Sequence, residues 1–365
     1  MRQQIPLIVG GGPAGSAAAI VLAQAGTRAT VLERQRETSD AICGGFLSWR
    51  TLETLASLGI SREALGGHPI TTLVIASTRA SARATLPATA RGVSRHRLDT
   101  LMLTQAAAVG AAIERGVSVK ALGDDQQLRL ADGAVLASDS LFLATGKYDL
   151  RGLGRADPSQ VFDPTLGLRL IIPPHPTLSR LVGGCIELHL FRGGYAGLQL
   201  REDGSANLCL AVQKSRLAAA GGDPRTLLRT LGTDSSLLGE RLAFADINTA
   251  PDAIAAVPYG WRARNTKSGQ FRLGDQAAVI PSLAGEGNGI ALISGIRAAN
   301  AWLSGGADQA PAYQAELARA TRRPLELAKW VRKTGNTQLG AVAILQLMRA
   351  FPALSGFIAH HTRIS

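Results

Sequence analysis

The chain has 365 residues, 46% hydrophobic and 18% charged, and 39 Lys and Arg against 27 Asp and Glu give a formal net charge of +12. This composition excludes a disordered or fibrous chain, and the length implies more than one ordinary domain or one large α/β unit with insertions. The cations are spread along the sequence, with only short clusters such as Arg322-Arg323 and Arg332-Lys333, so the excess reads as a solvated surface and no nucleic-acid partner is expected. Cys43, Cys185 and Cys209 are too few and too scattered for a disulfide framework or a zinc site, which fits a reducing, cytoplasmic compartment. His68, His96, His175, His189, His360 and His361 show no metal-ligand spacing, and no metal site is expected. No apolar run approaches the roughly 18 to 20 residues that span a bilayer, and Ala17–Ala23 follows a glycine-rich turn with no basic segment before it, unlike a signal-peptide core.

In chain order, Ile5–Val9 is an apolar strand, Gly10–Gly15 reads GGGPAG, Ser16–Gln24 is a helix of small and apolar residues, and Arg28–Leu32 is a second strand closed by Glu33. Together they make a βαβ unit of the usual length. Leu98–Ile113 has helical spacing, and Val117–Leu122, Gln127–Leu130 and Val135–Leu136 suggest a meander around Gly133. Ser140–Ala144 is a compact strand, and the Gly-, Pro- and Asp-rich stretch 151–164 marks a boundary. Leu168–Ile172, Cys185–Phe191, Tyr195–Leu200 and Ala206–Val212 then read as an antiparallel sheet. Residues 224–244 look helical, Gln270–Gly274 is a last strand, Gly289–Leu303 is a helix, and Ala312–Ile358 is mainly helical with breaks at Pro324 and Pro352. There is no internal repeat.

The fold class expected is α/β. A Rossmann-like cofactor domain occupies 1–160, with an excursion of the second domain near 65–92, and resumes at 263–306 around an inserted, β-rich substrate domain at 161–262. Residues 307–365 form a helical C-terminal region.

Gly10-x-Gly12-x-x-Gly15 carries the first chemical signal. Gly10 permits the tight turn, Gly12 admits a pyrophosphate, Gly15 allows close helix packing, and the helix N-terminus between Pro13 and Ala14 presents partial positive charge to phosphate. Glu33, eighteen residues after Gly15 and followed by Arg34, would accept hydrogen bonds from adenosine ribose hydroxyls. The fingerprint alone fits NAD or FAD.

Further motifs make the sequence resemble the FAD-dependent p-hydroxybenzoate hydroxylase superfamily, including its aromatic hydroxylase and geranylgeranyl reductase branches. They are Arg95-x-x-Leu98-Asp99, and Leu273-Gly274-Asp275 followed by Pro281 and Gly285-x-Gly287-Asn288-Gly289. The resemblance spans most of residues 1–305. It implies that Arg95 lies beside FAD, that Asp275 binds the ribityl or phosphate portion, and that the glycines 285–289 bring a helix N-terminus to the isoalloxazine ring, where its dipole favours an anionic reduced flavin. Cys43-Gly44-Gly45 is similar to a reductase-branch segment beside the flavin. Gly193-Gly194-Tyr195 is similar to the start of that branch's substrate motif, although Gly197, Gln199 and Leu200 stand where it has Trp and Phe-Pro. Cys43, Gly44, Gly45, Tyr195 and Pro281 are therefore the candidate catalytic positions. Ala144–Arg151 replaces the Asp-Gly motif of the hydroxylase branch, and no second GxGxxG follows, so no dedicated nicotinamide domain is expected.

The leading expectation is an FAD- and NAD(P)H-dependent monooxygenase that hydroxylates a hydrophobic or aromatic small molecule. The alternatives are a flavin reductase of carbon-carbon double bonds in an isoprenoid-like substrate, favoured by Cys43-Gly44-Gly45, and a nonenzymatic flavin-bound or membrane-surface binding protein. Ile344–Phe357 with Arg349 has amphipathic character that would suit peripheral membrane contact, or a tail helix docked on the core. No hydrolase elbow is present.

Overall fold

The computed structural model describes residues 5–78, 80–123, 127–155, 163–255 and 257–350. β1 (Leu7–Val9) leads through the glycine turn into α1 (Pro13–Gln24), and β2 (Thr30–Glu33) returns parallel to β1. There follow β3 (Phe46–Leu47), α2 (Trp49–Ser57), α3 (Arg62–Leu65), the long strands β4 (His68–Ala76) and β5 (Ser81–Gly92), α4 (Arg95–Ala108) and β6 (Ala112–Arg115). A meander of β7 (Val119–Leu122), β8 (Gln127–Leu130) and β9 (Val135–Ala137) precedes β10 (Leu141–Leu143). The middle of the chain supplies β11 (Thr165–Ile172), α5 (Pro176–Val182), β12 (Cys185–Phe191), β13 (Gly194–Leu200), β14 (Ala206–Gln213), α6 (Lys214–Ala218), α7 (Pro224–Asp234), α8 (Ser236–Leu242) and β15 (Asp252–Ile254). β16 (Gln270–Arg272) then leads to α9 (Gly287–Gly305), α10 (Ala310–Ala320), α11 (Arg322–Gly335) and α12 (Gln338–Ala350).

The strands form three sheets. Five parallel strands in the order β16-β10-β1-β2-β6 make the Rossmann-like layer. Its centre is apolar on both faces, as a parallel sheet covered by helices requires. Phe142 and Phe271, opposite one another on β10 and β16, stack with ring centroids 4.7 Å apart. The second sheet has eight strands in the order β15-β11-β14-β13-β12-β4-β5-β3, and β7-β8-β9 form the third. The fold is thus mixed α/β, with a parallel cofactor-type sheet, a large second sheet and C-terminal helices.

α1 is buried almost all round, because Ala14, Ala17, Ala18, Ala19, Ile20 and Leu22 pack against the sheet on one side and helices on the other. Its partner α9 approaches with no room between backbones: a Cβ on Gly295 would stand 2.3 Å from the Ala14 carbonyl oxygen. Gly274, Ala298 and Ala299 keep the rest of that interface small.

Several local expectations are revised. The helix expected to run to Ile113 stops at Ala108, because Gly110 adopts φ +109° and Ala112–Arg115 pairs with β2 as a strand. The four strands expected to be antiparallel, β11, β12, β13 and β14, are so, and the sheet is extended beyond them by β4, which pairs parallel with β12 (Thr72 with Cys185) and brings β5 with it. Residues 224–244 divide into α7 and α8 at Ser235, whose hydroxyl caps the second helix. The break expected at Pro324 falls instead at Thr321, and Pro324 sits in the first turn of α11, where it sacrifices no intrahelical hydrogen bond. Pro352, Ile358 and the His360-His361 pair lie outside the described residues. No helix among those described is long and apolar enough to cross a membrane.

Replacing Gly295 by Ala should force α1 and α9 apart and lower unfolding stability by about 1 to 3 kcal/mol. The measurement is the urea midpoint at constant slope, and an unchanged midpoint would show that the contact does not lock the two helices.

Candidate functional site

The carboxyl ends of β1 and β10 and the turn that starts α1 open onto a cleft of about 600 Å³, lined among others by Gly10, Gly11, Gly12, Glu33, Arg34 and Arg95. An inner chamber of about 210 Å³ shares Gly12, Arg95, Lys147 and Asp275 with the cleft. A crevice at the strand ends of an open parallel sheet is where such folds bind ligands.

Gly10 adopts φ +106°, and a Cβ there would meet the Ala144 carbonyl oxygen at 2.4 Å, so this turn requires glycine. α1 starts at Gly12 with no side-chain cap, and Pro13 has no N–H to satisfy, which leaves first-turn amides facing the cleft for an anion. Gly15 lies outside both cavities, and a Cβ there would stand 2.0 Å from the Gly10 carbonyl oxygen, so its part is close packing. At the tip of β2 the Glu33 carboxylate accepts hydrogen bonds from the amides of Gly11 (2.7 Å) and Gln35 (2.9 Å), which fixes it at the cleft wall. The Arg34 guanidinium lies 3.9 Å from the centroid of the exposed Tyr148 ring, a flat cationic and aromatic pair at the same wall.

Arg95, the first residue of α4, forms two hydrogen bonds with Asp99 at 2.8 and 2.7 Å. Burial works against its charge and the Asp99 carboxylate outweighs it, so its pKa is raised and the guanidinium stays protonated. Across the cleft, Lys147 Nζ stands 3.7 Å from an Asp275 carboxylate oxygen. Burial disfavours that ammonium too, and Asp275 more than compensates, raising its pKa. Gln276 ties the two segments together by donating to the carbonyls of Gly146 (2.9 Å) and Tyr148 (3.1 Å). Arg155 adds hydrogen bonds to the Asp149 carboxylate (2.7 Å) and the Asp275 carbonyl (3.1 Å).

The inner chamber lies between α9 and the second sheet. α9 begins at Gly287 with no side-chain cap, and Asn288 Nδ2 donates to Cys43 Sγ at 3.8 Å. Gly285 and Gly287 line the chamber, whereas Gly289 does not, its Cα being overlaid by the Glu286 carboxyl group. Pro281 is outside the lining as well, between Ile280 and Ser282, which are part of it.

From the opposite side, the period-two alternation of the sheet brings Tyr195, Gly197 and Gln199 of β13 to the same face as Asn207 and Cys209 of β14, with Gln199 opposite Asn207 and Gly197 opposite Cys209. These side chains hold the Cys43–Gly45 segment by its backbone. Asn207 donates to the carbonyls of Cys43 (2.8 Å) and Gly44 (2.9 Å), Gln199 donates to that of Gly44 (3.0 Å), and Cys209 Sγ donates to that of Cys43 (3.0 Å). Burial pushes the Cys209 thiol up to about 12, so it is a fixed donor at neutral pH. The Tyr195 hydroxyl hydrogen-bonds Ser282 Oγ, which also contacts the Tyr259 hydroxyl at 2.8 Å. Burial raises the pKa of both phenols. Sequence reasoning missed Lys147, Gln199, Asn207, Cys209, Tyr259 and Ser282. The available signal was polar residues at one parity of otherwise apolar strands; Lys147 was visible only as a departure from a motif.

The arrangement fits an extended dinucleotide such as FAD. The uncapped starts of α1 and α9 stand at the two cavities, and at Gly12 a Cβ would project toward the Arg95 guanidinium at 3.3 Å, filling space at their junction. Among the described residues, no cluster of His, Cys, Asp or Glu could hold a metal ion.

Residues 5–134 match a protein-family model described as an FAD binding domain. No curated protein sequence matches the chain. Among solved structures, the chain is similar to Pseudomonas aeruginosa PqsL in complex with 2-aminobenzoylacetate, with 18% identity and a TM-score of 0.75 over 94% of this chain and 99% of that one. The flavin-dependent brominase Bmp2 superposes with a TM-score of 0.77 at 16% identity, over 98% and 93% of the two chains. The tetrameric form of 2-methyl-3-hydroxypyridine-5-carboxylic acid oxygenase gives 0.73 at 20% identity, over 94% and 96%. Residues 5–134 thus match the FAD-binding domain family, and the chain shares its overall fold with these solved structures.

Proposed function

We propose that the protein is an FAD-dependent monooxygenase that takes two electrons from NAD(P)H and inserts one oxygen atom of O2 into a hydrophobic or aromatic small molecule, the second oxygen leaving as water. The observation that carries this reading is the inner chamber: it adjoins the cleft through Gly12, Arg95, Lys147 and Asp275, is walled by residues such as Ile42, Ile186, Leu188 and Leu283, and contains the Tyr195–Ser282–Tyr259 hydroxyl chain. The likeness to an oxygenase and a brominase supports the same class of chemistry.

Bound FAD would supply the two-electron and oxygen chemistry. In this reading the chain does the rest. Gly10, Gly12, Pro13 and Ala14 seat the pyrophosphate at the start of α1, with Gly15 packed behind them against Gly10, Glu33 and Arg34 hold the adenosine half, and Arg95 and Asp275 hold the middle. The start of α9, at Gly285, Gly287 and Asn288, faces the ring with partial positive charge. Cys43, Gly44, Gly45 and Tyr195 bound the reacting region, with Pro281 setting the turn that presents Ser282. Tyr195 and Tyr259, kept protonated by burial, donate hydrogen bonds to a polar group of the substrate and pass a proton through Ser282 Oγ, while the apolar walls exclude water. In this reading residues 1–160 and 263–306 serve the cofactor, 161–262 with 65–92 serve the substrate, and the described helices of the C-terminal region, α10 to α12, follow.

A second reading, reduction of a carbon-carbon double bond, is favoured by one observation, the Cys43 sulfur at the chamber wall. Product mass separates the two: addition of one oxygen with O2 uptake supports the monooxygenase, and a gain of two hydrogens that persists without air supports the reductase. Absence of any substrate-dependent NAD(P)H oxidation would leave a flavin-bound binder.

Glu33→Gln and Asp275→Asn should each weaken FAD binding by about 1 to 3 kcal/mol, read by fluorescence titration of the apoprotein. Unchanged affinity in both would defeat the cofactor assignment. Tyr195→Phe should lower kcat on the order of 10²-fold at neutral pH with FAD affinity unchanged; a wild-type rate would remove the phenol from the reaction. Alkylation should leave Cys209 unmodified at pH 8 in the folded protein, since burial holds its thiol protonated far above that pH, and peptide mapping checks this.

A further inference from the structure

We propose that the α11–α12 helix pair is an interfacial membrane anchor that docks on anionic lipid headgroups. α12 packs on the second sheet with Ala341, Leu345 and Met348, its Ile344 side chain meeting the cluster that contains Tyr195 and Leu283 of the chamber wall. At about 100° per residue, the outward arc of α12 carries in angular order Val342, Gln346, Leu339, Ala350, Ala343 and Leu347, with Gln338 and Arg349 at one edge. Leu339 is 85% exposed, and Val342 and Leu347 are exposed as well. α11 adds Trp330, 60% exposed, beside the exposed Arg323, Glu326 and Lys333. Four of the exposed large hydrophobic side chains thus fall within 18 consecutive positions, 330 to 347. Single exposed apolar residues are ordinary on a protein surface; a set gathered on two adjoining helices marks an interaction surface.

Charge selects the occupant. Between 322 and 350 stand Arg322, Arg323, Lys329, Arg332, Lys333 and Arg349 against the single acid Glu326, and no acidic residue follows Glu326 in the remaining 39 positions. The pair therefore carries five of the twelve net positive charges. A second copy docked through the same helix pair would set +5 against +5, with Glu326 already counted in each. An anionic bilayer supplies the complementary charge, accepts Leu and Val side chains at its acyl boundary, and is the environment in which tryptophan is enriched. Docking there places α12 between the lipid and the wall of the chamber, which suits a hydrophobic substrate dissolved in the membrane.

The test uses the full-length, FAD-loaded protein and two kinds of vesicle, phosphatidylcholine alone and phosphatidylcholine mixed with phosphatidylglycerol. The expected result is co-sedimentation with the anionic vesicles, weakened by salt, with a blue shift of tryptophan emission that Trp330→Phe abolishes. Leu339→Gln/Leu347→Gln and Arg322→Glu/Arg323→Glu should each reduce vesicle binding by at least roughly tenfold while circular dichroism and the flavin spectrum stay those of the wild type. A wild-type protein that fails to co-sediment overturns the proposal, whatever covers the face instead. So does undiminished binding by the Leu339→Gln/Leu347→Gln variant, or a solution dimer that this variant dissociates.

Discussion

The backbone contact between α1 and α9 is the constraint on which the rest of the site depends. Two helices at ordinary spacing stand about 8 to 10 Å apart, but here Ala14, Ala17 and Ala18 face Gly295 with no side chain between them on the α9 side. The close approach brings two uncapped helix N-termini to one cavity system. Since the field of a helix end falls off within about one turn, both ends can act on one extended ligand only if they are held this near to it. The small residues that looked like mere helix formers in the sequence are thus part of the binding geometry.

A second constraint is polar. The segment from Asp40 to Gly45 crosses between the two large sheets with backbone carbonyls that would be costly to bury unpaired. Asp40 accepts from Arg201 at 2.7 Å and pairs with Arg169 at 3.1 Å, Arg169 also donates to the Ala41 carbonyl at 3.0 Å, and Asn207, Gln199 and Cys209 satisfy the Cys43 and Gly44 carbonyls. Buried ion pairs of this kind contribute little net stability once desolvation is charged against them, and their effect is to select one arrangement of the crossing segment. Cys43 is held by its own carbonyl, which accepts from Asn207 and Cys209, together with that of Gly44.

The βαβ unit was legible because three independent signals, an apolar strand, a glycine turn of fixed spacing and an acid at the tip of the next strand, describe one local structure. The candidate positions Gly12, Arg95, Asp275, Gly285, Gly287 and Asn288 come from distant parts of the chain and do converge on the two adjoining cavities. What could not be read is what only pairing creates. β4 and β5 join the second sheet through a parallel contact with β12, and nothing in 68–92 specifies a partner more than 90 residues away. Asn207 and Gln199 face each other by register, a relation invisible until β13 and β14 are placed side by side. Pro324 shows the opposite case: proline signals a break, yet the first turn of a helix tolerates it, so the break lies just upstream, at Thr321.

Where the positive charge lies separates the site from the surface. The outer cleft contains Arg34, Arg95, Arg115, Lys120, Lys147 and Arg169, but also Glu33, Asp40, Asp99, Asp149, Asp252 and Asp275, so its side-chain charges cancel. Attraction for a pyrophosphate there cannot come from net charge and must come from oriented amides at helix starts, which are short-ranged and specific. The excess of +12 therefore resides outside the cleft, where it acts at longer range and less selectively. A block of five net positive charges, most of it on α11, adjoins the apolar outer face of α12, and the two properties together define a surface suited to a charged interface with an apolar interior, while the cleft is suited to a single dinucleotide.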